Sequence, residues 1–154
     1  MAYGPETIVV DGLEYRESLS AVGIRGGAAG NVIPDECVVT VNYRFAPDKS
    51  PEQALAHVQE LFDGYAVEVT DIAGGARPGL QLPAARAFVE ALGVEVRAKE
   101  GWTDVALFSD LGIPAVNFGP GDPNWAHHDQ EHCPVHQLVD AEAALVRWLA
   151  PAPA

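Results

Sequence analysis

The residues with most chemical capacity lie close together in the stretch Gly119-Pro120-Gly121-Asp122-Pro123-Asn124-Trp125-Ala126-His127-His128-Asp129-Gln130-Glu131-His132-Cys133. It holds three of the five histidines, two aspartates and a glutamate. Imidazole and carboxylate together are the ligand set for zinc. The spacing matches neither HExxH nor a closed Cys/His finger, and the stretch cannot alone supply four ligands. The same composition also describes a polar surface loop rich in turn residues. A second stretch, Gly101-Trp102-Thr103-Asp104, opens a short helix, so Thr103 or Asp104 serves either as its N-cap or as a polar group facing a cleft. Arg44 sits mid-strand on a polar face, where its fork can pair with an acid or grip a substrate carboxylate. Gly26-Gly27-Ala28-Ala29-Gly30-Asn31 is not GxGxxG and no Walker lysine follows, so it reads as a turn between strands. There is no G-x-S-x-G for a serine nucleophile, and Cys133 has no evident activating group. The three tryptophans read as packing residues.

These residues belong to a chain of 154 residues and 16.3 kDa, long enough for one domain or parts of two. Twenty-two acids against nine bases give a net charge of −13. With no basic stripe, nucleic acid and anionic membranes are not expected partners. No apolar run approaches the ~18 residues of a membrane span, and the N-terminus lacks a signal-peptide core. Cys37 and Cys133 have no CxxC partner, which suits reduced thiols and a cytoplasmic location.

The elements that must position the candidate residues change character along the chain. Cys37, Val39, Val41, Tyr43 and Phe45 alternate with Val38, Thr40, Asn42 and Arg44, the period of a strand with one buried face. Strands are expected over 7–10, 15–25 and 36–46, antiparallel. Ser50-Pro51-Glu52-Gln53 is a capping box that opens a helix with Leu55, Val58, Leu61 and Phe62 inward and Gly64 as its stop. Alternation over 65–72 predicts a further strand. These elements make an α+β layer of antiparallel sheet with a helix. Beyond a loop over 73–80, the pattern predicts a helix from Pro83 to Gly93, a strand over 94–98 and a short helix over 104–111. A buried strand over 115–118 and a helix over 138–150 with Leu138, Ala141, Leu145, Trp148 and Leu149 inward complete it. Alternating β and α implies parallel strands, though two are too few for a complete doubly wound sheet.

The phrases Gly26-Gly-Ala-Ala-Gly-Asn-Val-Ile-Pro-Asp35 and Val41-Asn-Tyr-Arg-Phe-Ala-Pro-Asp48 resemble the lid, or dimerisation, domain of the di-zinc aminoacylase/carboxypeptidase metallopeptidase family. Gly101-Trp-Thr-Asp104, Gly119-Pro-Gly-Asp-Pro123 and Ala126-His127 look like the end of its catalytic domain. In this order, over nearly all of residues 6–150, they are similar to the desuccinylases of the actinobacterial type within that family. The resemblance implies a ferredoxin-like lid joined to the C-terminal part of a zinc-peptidase-like α/β domain, with 1–72 a partial lid and 73–154 the catalytic segment. It implies amide hydrolysis with two zinc ions (cobalt being an alternative metal) bridged by an aspartate and a water, and a glutamate as general base. The expected reaction removes succinate from N-succinyl-LL-2,6-diaminopimelate, in lysine and diaminopimelate biosynthesis. His127 matches the last metal ligand. Asn31 and Arg44 match lid residues that hold the substrate's carboxylates and carbonyl, and Thr103 and Asp104 match the cleft turn at the acyl group. Glu131 matches an acid after that histidine, which either supports the metal ligand from behind or anchors its loop. A homodimer formed through the lid is implied as well.

The departures from the family pattern are specific. Leu107 stands where an arginine is expected, and Gln130 replaces an aspartate beside Glu131. The remaining metal ligands, the Glu-Glu pair with the general base, and the lid's first strand, helix and histidine precede the matched region in the family. No catalytic residue is therefore assigned within these 154 positions, and the isolated chain is expected to be inactive. The alternatives are a related N-acyl-amino-acid deacylase or carboxypeptidase, or a dimerisation module without chemistry.

Overall fold

The computed structural model describes residues 3–150. Its order is β1 (Glu6–Val10), β2 (Leu13–Gly26), β3 (Cys37–Arg44), α1 (Pro51–Leu61), α2 (Pro83–Leu92), α3 (Val105–Asp110), a 3-10 turn (Pro123–Trp125) and α4 (Val135–Leu149). β1 and β2 close on Asp11-Gly12, both with positive φ (51° and 85°), the two-residue hairpin turn whose twist suits antiparallel strands. β2 then pairs with β3, giving a three-stranded antiparallel sheet in the order β1-β2-β3. The register runs from Ser18↔Arg44 to Gly26↔Cys37 and shifts between Ala21 and Gly23, so Val22 bulges out of the ladder. The three antiparallel strands expected from alternation are present, with β2 starting at Leu13.

The capping box forms as its spacing requires. Gln53 N–H donates to Ser50 Oγ at 3.3 Å, Ser50 N–H donates to Gln53 Oε1 at 2.8 Å, and Pro51 opens α1. α1 lies on the sheet through His57, whose ring is 5.2 Å from that of Tyr43.

The core is small. Val10, Tyr15 and Ala46 are buried, with Ile8, Leu13 and Ala98 packed against them. Beside it lies an acid. Glu17, only 2% exposed, accepts from Lys49 Nζ at 2.7 Å, from the Ala46 N–H at 2.8 Å and from Tyr43 Oη at 2.9 Å. Burial pushes its pKa up, but these three donors outweigh burial and hold the carboxyl below its ordinary value. For Lys49 burial acts downward, and the hydrogen bond and charge of Glu17 raise it overall. Burial, then Glu17, drive the Tyr43 phenol far upward. A second cluster holds the C-terminal helices together. Phe88 of α2 meets Trp148 of α4 edge-on at 4.9 Å and Phe118 at 5.7 Å.

Three expected strands do not form among the described residues. Segments 65–72, 94–98 and 115–118 run without a ladder, and no parallel sheet is present, so the α/β architecture expected of 73–154 is not seen. Alternation sets the direction of side chains, but a strand also needs a partner edge for its N–H and C=O groups. Among the described residues these segments make no such ladder. Faces expected to be buried are correspondingly open. Val39 is 48% exposed, and Leu138 and Leu149 of α4 are 52% and 69% exposed, leaving Ala144 as its buried residue.

Glu17→Gln is expected to lower stability at pH 7 by about 2 kcal/mol, since Lys49 loses its counter-charge. Because the folded-state pKa of Glu17 is depressed, its contribution is present above the ordinary value of 4.5 and disappears as pH falls through the folded value. Urea midpoints at pH 7 and pH 3 should show the gap between the two proteins closing at the lower pH. A gap of constant size would contradict the charged network.

Candidate functional site

A cavity of ≈ 440 Å³ opens between the sheet and the C-terminal half. Apolar walls come from Phe88, Leu92, Val116 and Phe118, and polar groups from Asn42, Arg44, Thr103 and Asn117. It brings two of the sequence-identified residues, Arg44 and Thr103, to a common space. Arg44 ends β3 opposite Ser18, and its exposed side chain lies on the strand face away from Tyr43 and Glu17. Thr103 is half-buried, and its Oγ1 accepts from Asn117 Nδ2 at 3.1 Å, which ties the turn before α3 to the 115–118 segment. Its carbonyl accepts the Ala106 N–H at 3.0 Å, so this residue also starts the helix.

The other candidates lie elsewhere. Asp104 occupies the N-cap position of α3 with helical backbone angles, makes no side-chain capping bond and is exposed. Asn31 is exposed in the turn that joins β2 to β3, beyond the far end of the ladder from Arg44. Leu107, on α3, is 55% exposed.

His127 is the least ordinary of them. Its φ is +65°, a left-handed conformation that a histidine adopts at a cost. Its N–H donates to Glu131 Oε2 at 3.0 Å, so the carboxylate four residues on holds the bent backbone. The loop is further closed by Glu131 N–H donating to the His128 carbonyl at 2.9 Å, and by His132 Nδ1 lying 2.8 Å from the carbonyl oxygen of Gln130. Trp125 stands between His128 and His132, with ring centroids at 5.5 and 5.2 Å. Two of the three histidines thus pack on an indole, and His127 is left facing outward.

A di-metal centre can be tested against these donors. Among the described residues no three His, Cys, Asp or Glu side chains converge closely enough to hold a metal ion. Glu131 is engaged with the backbone of His127. A single imidazole does not hold catalytic zinc, which takes three protein ligands. The residues of this chain therefore do not by themselves fit the centre that the resemblance implies, and no reaction step is derived through it.

Two features escaped the reading of the sequence. Glu17 falls on the inward face of β2, between Tyr15 and Leu19, and an acid at such a position signals a buried network. His57 packs on Tyr43 with its Nε2 buried and without a hydrogen-bond partner among the described residues.

Residues 11–70 match the model of the peptidase dimerisation domain. Residues 11–70 are a peptidase dimerisation domain. The chain that carries it is succinyl-diaminopimelate desuccinylase-like in sequence. It is 57% identical over 149 residues to the putative succinyl-diaminopimelate desuccinylase of Mycobacterium tuberculosis, covering 96% of this chain and 42% of the relative. It is 46% identical to the succinyl-diaminopimelate desuccinylase of Corynebacterium glutamicum over 154 residues, with the same coverage. An acetylornithine deacetylase from Myxococcus xanthus is 33% identical over 137 residues, 82% of this chain and 36% of that protein. The desuccinylase-like chain thus spans about two fifths of the length of the first two relatives. The dimerisation domain takes in β2, β3 and α1, and therefore Glu17, Asn31 and Arg44; Thr103, Asp104, His127 and Glu131 lie beyond it. Among the described residues no helix is long and apolar enough to cross a membrane.

Removing the anchor of the His127 loop should be visible locally. Glu131→Ala is expected to speed hydrogen exchange of the His127 amide by tenfold or more, the effect of losing a charge-assisted hydrogen bond of roughly 1.5–3 kcal/mol. Amide exchange followed by NMR checks this, and unchanged protection at His127 would count against the anchoring role.

Proposed function

We propose that this chain is the C-terminal portion of a metal-dependent amide hydrolase that removes succinate from N-succinyl-LL-2,6-diaminopimelate. The identity to the Mycobacterium tuberculosis desuccinylase over 96% of the chain carries this reading. In it, residues 1–72 are the partial lid and 73–154 the last part of the catalytic domain. Arg44 grips a substrate carboxylate, Asn31 holds a further polar group of the substrate, and Thr103 and Asp104 border the acyl group. His127 supplies one metal ligand on a backbone bent by Glu131. A zinc ion held in part by His127 would supply Lewis-acid chemistry at the scissile carbonyl; the residues here orient the substrate and close the loop around that one ligand. The protein works in the cytoplasm as a homodimer paired through residues 11–70.

Two other readings have support. The Myxococcus xanthus relative, named an acetylornithine deacetylase, keeps a different acyl group open. The match of residues 11–70 to a peptidase dimerisation domain also fits a dimerisation module without chemistry.

The 154-residue chain alone is expected to show no zinc-dependent hydrolysis of N-succinyl-diaminopimelate. Grafted in place of the matching segment of the Mycobacterium tuberculosis relative, it should support hydrolysis, and should favour the succinylated over the acetylated amine. In that chimera Arg44→Gln should lower kcat/KM by about 100-fold, the scale of a lost charge-assisted bond of roughly 3 kcal/mol. A folded, dimeric and inactive chimera would favour the non-catalytic module; a preference for acetylated substrate would favour the deacetylase.

A further inference from the structure

The stretch that carries His127 leaves the fold and returns to the same point. At its start Gly121 has φ +92°, and a Cβ placed on it would stand 3.9 Å from both Cβ and Sγ of Cys133 at its end. The two ends are therefore neighbours in space. Between them the stretch packs on its own side chains, with the Trp125 indole between the rings of His128 and His132. A surface segment of about 6–16 residues with adjoining ends and its own packing is an Ω-loop. A side chain from outside the loop makes the join. Gly121 N–H donates to Gln137 Oε1 at 2.8 Å, and both residues are half-buried.

Gln137 stands on a firm base. It lies in the first turn of α4, a helix fixed at its other end by Trp148 against Phe88 of α2. An N–H needs an acceptor, so the amide must present its oxygen to Gly121. From there a series of backbone turns runs to His127 and past it. Asn124 N–H donates to Asp122 Oδ1 at 2.9 Å and Trp125 N–H to the Asp122 carbonyl at 3.0 Å. His128 N–H then donates to the Trp125 carbonyl at 3.0 Å, and Glu131 N–H to that of His128 at 2.9 Å. His127 lies inside this series, exposed and at φ +65°. A left-handed histidine costs free energy and persists only where its surroundings over-determine it. Glu131 restrains it from within the loop, and Gln137 ties the loop to a helix.

We propose that Gln137 is the clasp of an Ω-loop over residues 121–133 and, through that loop, a positioning residue for His127. This deepens the proposed function, on which it rests only for the use made of His127; the clasp itself follows from the contacts of Gly121.

The test compares the 154-residue chain with two variants. Gln137→Met keeps side-chain length and helix propensity but removes the acceptor, whereas Gln137→Glu keeps an acceptor oxygen and suits the first turn of a helix. Amide exchange followed by NMR should speed up in Gln137→Met by about fivefold at Gly121 and about threefold at His127, the scale of one lost neutral hydrogen bond. Amides of β2 and β3 should keep their rates, and Gln137→Glu should restore protection at both sites. In the chimera described above, Gln137→Met should lower kcat about tenfold with KM within about twofold, and Gln137→Glu should restore it. Unchanged protection of His127 in Gln137→Met, an equal loss in Gln137→Glu, or faster exchange throughout the sheet would overturn the positioning role. So would an active chimera whose kcat ignores Gln137→Met. An inactive chimera removes the proposed function, and the exchange rates of the chain then decide the clasp by themselves.

Discussion

Glu17 is an acid at the junction of every element in the ordered N-terminal half, and the geometry of that half follows from satisfying it. A carboxylate that is 2% exposed is tolerated only when donors replace its water. Three do so, and they come from three places: the phenol of Tyr43 inside β3, the main chain of Ala46 just past it, and the ammonium of Lys49 before the N-cap of α1. The turn from sheet to helix is therefore set by one side chain of β2. Tyr43, held by Glu17, offers its ring to His57, which seats α1 on the sheet. Arg44, the next residue, must then point to the opposite face. The orientation of the arginine at the cavity is in this sense the far side of a buried ionic network.

Outside that junction little is buried. The accessible surface is 11834 Å², against about 7500 Å² for a compact chain of this mass. The excess exceeds the roughly 1600 Å² that a standard protein–protein interface removes from water. It includes apolar groups in continuous elements, such as Val135, Leu138, Val139 and Leu149 of α4. Exposed apolar surface on this scale is unfavourable in water and promotes association. The unpaired segments belong to the same picture, since 94–98 and 115–118 wall a cavity and make no ladder with each other.

What was legible in the sequence was what depends on near neighbours. The capping box of Ser50 and Gln53, the Gly93 stop of α2 (φ +63°) and the alternation of β2 and β3 each involve local geometry, and each appears in the structure. A strand, by contrast, takes two partners. Tyr65, Val67 and Val69 alternate as well as Val39, Val41 and Tyr43 do, yet only the second set finds an edge to pair with. The candidate site was legible in residue types and only partly in placement. Arg44 and Thr103 share a cavity because β3 and the α3 turn converge there. Nothing local signals that His127 adopts positive φ, or that Glu131 faces its main chain.

The long β2–β3 ribbon also limits what Asn31 and Arg44 can do together. The eight residues of β3 cover roughly 23 Å at about 3.3 Å per step, with Arg44 at one end and the turn carrying Asn31 beyond the other. A ligand seated at Arg44 in the cavity is thus a ribbon's length from Asn31 of the same chain. Both residues can serve one small substrate only if the ribbon bends sharply or if the two come from different copies. The ladder resists the first, because its hydrogen bonds run from Ser18↔Arg44 to Gly26↔Cys37 with a single shift at Val22. The second needs no change within the chain: a pair of copies related by a two-fold axis can bring the tip of one ribbon toward the root of the other. A dimerisation domain built as a stiff hairpin, with polar residues at its two ends, is suited to that arrangement.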